Sequence, residues 1–177
     1  MKFASIVAAV GLASAALASP LEERNNCKKC VSQAYATSIV NDYVAVLSHV
    51  STSLGTPNET AQAILDDNYT ETSDSILSLE GLPLGTATFV GKALYIASTL
   101  GAPAVKGINT IAVYPICPDK ILWQWLFTGI GSKKYEIKGF NLFQLTPAGQ
   151  INETYVEFNS FAWALDTGYN ITFPVRS

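Results

Sequence analysis

The 177-residue chain is poor in the residues most chemistry depends on: it has one histidine, one methionine and three cysteines, and 14% of it is charged. Each scarcity excludes a class of site. A lone histidine, His49, cannot form a paired-histidine centre, and its place near the end of a helical stretch suggests contact with a helix C-terminus. The Cys27-x-x-Cys30 spacing would need further ligands to hold zinc, so no metal is expected. Lys and Arg together number 11 against 14 acidic residues, for a net charge of −3, and Lys28-Lys29 and Lys133-Lys134 are isolated pairs. There is no clustered basic face for nucleic acid. Beyond the N-terminal segment, no apolar run approaches the roughly 20 residues a membrane span requires.

What is present points first to a compartment. Lys2 precedes an apolar, alanine-rich stretch from Phe3 to Leu17, and Ala16-Leu17-Ala18 fits a small-x-small cleavage site. Residues 1–18 therefore read as a signal peptide and the protein as secreted and extracellular. Residues 19–29 read as a flexible polar leader, 30–170 as one domain and 171–177 as a tail. Sequons at Asn58, Asn68, Asn152 and Asn170 are the expected glycosylation sites.

Three cysteines in a secreted chain mean one disulfide and an odd thiol, or an intermolecular bond. A redox reading of Cys27-x-x-Cys30 does not suit that compartment. The favoured pairing is Cys30–Cys117, which would clip the first helix to a strand; Cys27–Cys117 is the alternative.

Hydrophobic spacing divides the domain in two. Val31, Tyr35, Ile39, Tyr43, Val46, Leu47 and Val50 recur at three and four and predict a helix from Cys30 to about Val50. A second helix is expected from Glu59 to about Asn68. "YTETSDSI" then reads as a brief strand or extended turn and "SLEGLPLGTAT" as a loop. A third helix, capped by Thr86 or Thr88, carries Phe89, Ala93, Ile96, Ala97 and Leu100 inward. The remainder reads as four strands, "VKGINTIAVYPI", "KILWQWLFTGIG", "KYEIKGFNLFQL" and "NETYVEFNSFAWAL", joined by short turns. Trp123, Trp125 and Phe127 share one face of their strand, as do Phe161 and Trp163 in the last. Helices followed by such a meander predict an α+β domain with the helices on one face.

The order of "IVNDYVAVLSHV", "ILDDNYTETSDSI", "FVGKALYI", "VKGINTIAVYPI" and the hairpin running from "YEIKGFNLFQLTPAGQI" into "YVEFNSFAWALDTG" resembles the nuclear transport factor 2-like superfamily. That group includes the SnoaL-like polyketide cyclases, scytalone dehydratase and the ketosteroid isomerases, and the likeness is greatest to small secreted proteins of filamentous fungi. The resemblance implies a cone-shaped curved antiparallel sheet wrapped on three N-terminal helices, with a pocket in the cone. It places Tyr43 at the isomerases' oxyanion-binding tyrosine and Asn141 at their hydrogen-bonding acid. The general base falls near Thr72, with Asp74 the nearest carboxylate beyond. Tyr43, Asn141 and Asp74 are thus the implied catalytic groups, and Tyr69, Trp123, Trp125, Phe161 and Trp163 the implied pocket walls. An amide at 141 departs from that pattern, because it donates a hydrogen bond without the pKa of an acid. The implied function is binding, and transformation by isomerase-, cyclase- or dehydratase-like chemistry, of a small hydrophobic or polyketide-like molecule without a cofactor, in a protein paired through its sheet. The alternative is a non-catalytic secreted interaction protein or effector whose cavity is vestigial.

Overall fold

The structure, a computed structural model, describes residues 30–172. The expected signal peptide, the leader with Cys27 and most of the expected tail lie outside the described residues.

All the helices but the one at Lys92–Gly101 begin where a side chain caps them. α1 (Gln33–Leu47) starts at Ser32, whose hydroxyl accepts from the Tyr35 N–H, and buries Ala36, Ile39, Val40, Tyr43 and Val46 along one stripe. α2 (Pro57–Ile64) opens with a reciprocal capping box between Thr56 and Glu59 and a proline in its first turn. Gly55, at φ 116°, leads into that box, and a Cβ there would run into the Glu59 side chain.

From Leu65 the chain departs from expectation. The second helix ends at Ile64, and the next residues form β1 (Leu65–Thr72), paired antiparallel to β2 (Ala87–Val90) and parallel to β6 (Ile151–Phe158). Leu65 pairs with Ile151 and residues 70–72 pair with both β2 and β6, and this tertiary pairing overrides the helical reading of Leu65–Asn68. "SDSI" continues into a short helix, α3 (Asp74–Glu80), capped by Ser73 and closed by Gly81 in the left-handed conformation. The expected third helix is displaced to α4 (Lys92–Gly101), which begins after Gly91; Thr88 and Phe89 belong to β2.

β3 (Ile108–Ile116), β4 (Lys120–Phe127), β5 (Ile137–Leu145) and β6 form the expected antiparallel meander. The whole sheet runs in the order β2-β1-β6-β5-β4-β3, is curved and unclosed, and is mixed because of the β1–β6 join. The last predicted strand is half helix: Asn159 accepts from the Ala162 N–H and starts α5 (Ser160–Asp166). Phe161 and Trp163 therefore sit on a helix, where alternation does not put them on one face. The α+β class holds, with five helices and six strands among the described residues.

Cys30 and Cys117 form a disulfide across 87 residues, fastening the segment before α1 to the β3–β4 turn. Closing so long a loop in the unfolded chain contributes on the order of 4 kcal/mol. Inward residues of β4 and β5, among them Ile121, Trp123, Trp125, Phe127, Ile137 and Phe143, pack with α1 and α4 into one core.

Candidate functional site

The inner sheet face does not close completely on the helices. A cavity of about 640 Å³ remains between α1, α3, α4, the concave side of β4–β6, the β4–β5 loop and α5, a volume suited to a small organic ligand. All three tryptophans of the chain, Trp123, Trp125 and Trp163, line it.

Glu71 is the buried carboxyl in its wall, the lining's other acid, Glu80, being exposed. β1 points Tyr69 and Glu71 inward at successive even steps, and Glu71 is 3% exposed. The Tyr69 hydroxyl donates to Glu71 Oε2 at 3.1 Å and the Tyr43 hydroxyl reaches the same oxygen at 3.5 Å. Tyr95, from α4, donates in turn to the Tyr43 oxygen at 2.6 Å. Oε1 has no protein partner among the described residues, and Glu71 lines the cavity. Burial pushes this carboxyl up to about 7, against the lowering effect of the tyrosine hydrogen bonds. Burial likewise holds the Tyr43 and Tyr95 hydroxyls above the usual phenol range, so both stay protonated donors.

Asn141 lies on β5, in register with Trp123 on one side and Val156 on the other, and is 3% exposed. The Trp125 indole N–H donates to Asn141 Oδ1 at 2.7 Å. Because indole nitrogen only donates, this bond fixes the amide orientation and leaves Nδ2 as the open donor. Nδ2 has no protein partner among the described residues, and Asn141 lines the cavity. Gly139, opposite Trp125, makes room for the ring: a Cβ there would stand 2.5 Å from Trp125 Cζ2.

Of the residues singled out from sequence, Tyr43, Asn141, Trp123, Trp125 and Trp163 line the cavity. Tyr69 is fully buried behind it and acts through Glu71. Asp74 does not line it. Its carboxylate accepts from the Gly85 N–H at 2.7 Å, and its own N–H donates to Glu157, so it ties a turn to α3. Phe161 is exposed on α5 and lies outside the lining. His49 donates from Nε2 to a carbonyl near a helix end, as expected of its position, but the helix is α4, the acceptor being the Thr99 carbonyl at 3.1 Å. The carboxylate near the Thr72 position is Glu71, one residue before it rather than two after. Its signal was the period-two alternation from Tyr69, which puts 71 inward and 72 outward.

The rim is held by a second buried carboxylate. Asp166, at the end of α5, accepts from the Ser132 hydroxyl at 2.6 Å and from the Lys134 and Tyr135 N–H groups at 2.9 and 3.2 Å. Its backbone carbonyl accepts from the Ser132 N–H at 2.7 Å. These bonds tie the β4–β5 loop, whose Gly129, Ile130 and Gly131 line the cavity, to α5, whose Trp163 does the same. Asn58, Asn68 and Asn170 are exposed, whereas Asn152 lies half-buried in β6 with its Oδ1 lacking a hydrogen-bond partner.

Several solved structures share this architecture. A SnoaL-like protein of unknown function from Burkholderia thailandensis superposes with a TM-score of 0.55 at 17% identity, over 74% of this chain and 99% of its own. A steroid delta-isomerase from Pseudomonas aeruginosa gives 0.55 at 9% identity, over 80% and 93%. A Mycobacterium tuberculosis protein in complex with estradiol-17beta-hemisuccinate gives 0.51 at 14% identity, over 72% and 96%. At such identities the likeness is one of fold. No curated protein matches the chain. Residues 29–170 match the NTF2-like domain, and with that match over a sheet, cavity and helix order of this kind the chain belongs to the NTF2-like family.

Proposed function

We propose that the protein binds a small, mainly apolar molecule in this cavity and exchanges a proton with it through Glu71. The observation that carries the reading is Glu71 itself, a buried carboxyl with one oxygen held by tyrosines and the other unpartnered at the cavity wall. A carboxyl whose pKa lies near neutrality serves as acid or base with comparable ease. Asn141 Nδ2 offers the ligand a second, fixed point, a donor for a carbonyl or hydroxyl oxygen. Moving a proton between two ligand atoms is the isomerase-like step that the names of fold neighbours suggest.

Native mass spectrometry of protein purified from its own host tests this. The expected result is a co-purifying small molecule that Glu71→Gln protein no longer retains or leaves chemically unconverted. An empty cavity in a protein that captures a macromolecular partner would favour the interaction-protein alternative.

The same reading takes the protein as secreted and glycosylated, with Asn58, Asn68 and Asn170 the accessible acceptors; a mass shift on enzymatic deglycosylation checks it. It also takes the protein as a homodimer. Tyr114, Leu122, Leu142 and Tyr155 stand in register across four strands on the outer sheet face, an apolar row suited to a second copy of the chain. Sedimentation giving a monomer at tens of micromolar would refute the pairing.

A further inference from the structure

We infer that the molecule this cavity takes is a hydrophobic amine, held as its ammonium against Glu71 Oε1 within aromatic walls. The inference rests on the ligand-binding reading above and names the chemical class that reading left open.

The charges of the lining point in one direction. Its ionisable acids are Glu71 and Glu80, and none of its described residues is Lys, Arg or His. The ion pair among the described residues lies elsewhere, between Lys92 and Asp67 at 2.6 Å. Glu71 is therefore a carboxylate taken out of water without a counter-charge, an arrangement that costs far more than a paired one. A ligand carboxylate or phosphate would add a like charge to this wall and find no cation to meet it.

The hydrogen bonds around Glu71 are arranged for its charged form. Both tyrosine hydroxyls reach Oε2, which stabilises the anion and fixes the side chain. Oε1 is left for the guest. That burial still holds this carboxyl up to about 7 is the mark of the absent counter-charge. An uncharged donor such as an alcohol would fill the hydrogen bond on Oε1 but leave the charge uncompensated; an ammonium answers both.

The surrounding rings supply the remaining recognition. Tyr43, which bonds Glu71, meets Tyr95 at a 6.3 Å centroid separation and Trp123 edge-on at 6.0 Å. Phe89 contacts Tyr95 at 5.6 Å, so the aromatic surface continues from the carboxylate along the cavity. Aromatic faces attract a desolvated cation while packing against the apolar body that bears it. Asn141 Nδ2 remains as a donor for an oxygen elsewhere on the same ligand.

The test compares three probes of one skeleton, 2-naphthylmethylamine, 2-acetylnaphthalene and 2-naphthylacetic acid, with the whole folded protein at about pH 8, where the amine is charged and Glu71 ionised. Quenching of the three cavity-lining tryptophans reports binding. The amine is expected to bind at least about tenfold more tightly than the ketone, and the acid more weakly than both. In Glu71→Gln protein the amine should lose its lead while the ketone keeps its affinity. A ketone that binds as well as the amine overturns the inference and leaves the ligand-binding reading standing, as does an amine preference that survives Glu71→Gln. Failure of all three probes to bind removes the reading itself, and the inference with it.

Discussion

Glu71 and Asp166 are both carboxylates with little exposed surface, 3% and 4%, but Glu71 lines the cavity whereas Asp166, at the end of α5, stands outside its lining. Their chemistry is opposite. Burial raises both, but at Asp166 the Ser132 hydroxyl and the Lys134 and Tyr135 N–H groups outweigh it and hold the acid below its ordinary range. At Glu71 two tyrosines on one oxygen do not outweigh burial, and the acid sits at about 7. Depth and donors act together: Glu71 lies in the interior with hydroxyls on one oxygen alone, whereas Asp166 lies near the surface with Ser132, Lys134 and Tyr135 all donating to it. Asp166 is saturated and ties a loop to a helix; Glu71 is left with an oxygen that only a guest or solvent can satisfy. A fold that can saturate one buried acid and leaves another open marks the second as the place where something binds.

The largest test of this contrast is stability against pH. The Glu71 carboxyl sits near 7 in the folded protein against an ordinary 4.5, so the folded state keeps its proton to higher pH than the unfolded chain does. Stability should therefore be greatest, as far as this group goes, below about 4.5, and fall by on the order of 3 kcal/mol as pH rises through 7. Urea unfolding across that window measures it, and Glu71→Gln should flatten the slope. A slope unchanged in that variant would break the comparison. Next in size, Asp166→Ala should destabilise the fold by roughly 2–3 kcal/mol, since charge-assisted bonds from the loop are lost together. Hydrogen exchange at Lys134 and Tyr135 should quicken; if it does not, Asp166 is not what holds the loop.

Asn141 is intermediate in character, with one polar atom satisfied and the other open among the described residues. Asn141→Leu should cost about 1–2 kcal/mol by stranding the Trp125 indole N–H, and should weaken any ligand bearing an acceptor oxygen. Equal affinity in both proteins, read by tryptophan quenching, would show that Nδ2 is not a contact. The smallest effect belongs to Tyr69→Phe. Its hydroxyl lowers the Glu71 carboxyl, so its removal should move the midpoint of the pH–stability curve upward by about half a unit, less than 1 kcal/mol. A downward shift would mean that Tyr69 does not favour the ionised form.

Local physics was legible wherever one element decided its own conformation. The inward Ile39, Tyr43 and Val46 of α1 and the β4 alternation of Trp123, Trp125 and Phe127 could be read directly, because side-chain period is set within a few residues, although Tyr35 and Val50 of the same predicted stripe are exposed. Segments near the parallel join were not. In "LDDNYTET" only the "YTET" half reads as extended; "LDDN" reads as helix and joins the strand through the pairing of Leu65 with Ile151 and of residues 70–72 with β2 and β6. "NSFAWAL" has a strand's alternation and a helix's cap; Asn159 at the end of β6 decides for the helix. The site followed the same division. Asn141 stood out as a polar residue in an apolar strand, while Glu71 was missed by one position because the base was located by counting past a helix that ends earlier than its sequence suggests.

Sequence alone determined the class of the protein: an α+β domain with amphipathic helices ahead of an antiparallel meander, and a long-range disulfide to Cys117 from Cys30 or Cys27. These depend on periodicity and residue counts, which are properties of neighbours along the chain. Only the tertiary structure decided that Cys30 is the partner, that β1 joins β6 in parallel, and that Tyr43 from α1, Tyr69 and Glu71 from β1 and Tyr95 from α4 meet in one hydrogen-bonded group. The separation of Glu71 from Asp166 belongs to the same level. Whether a buried carboxylate is satisfied depends on donors brought from distant segments, and no local pattern records where those donors will be.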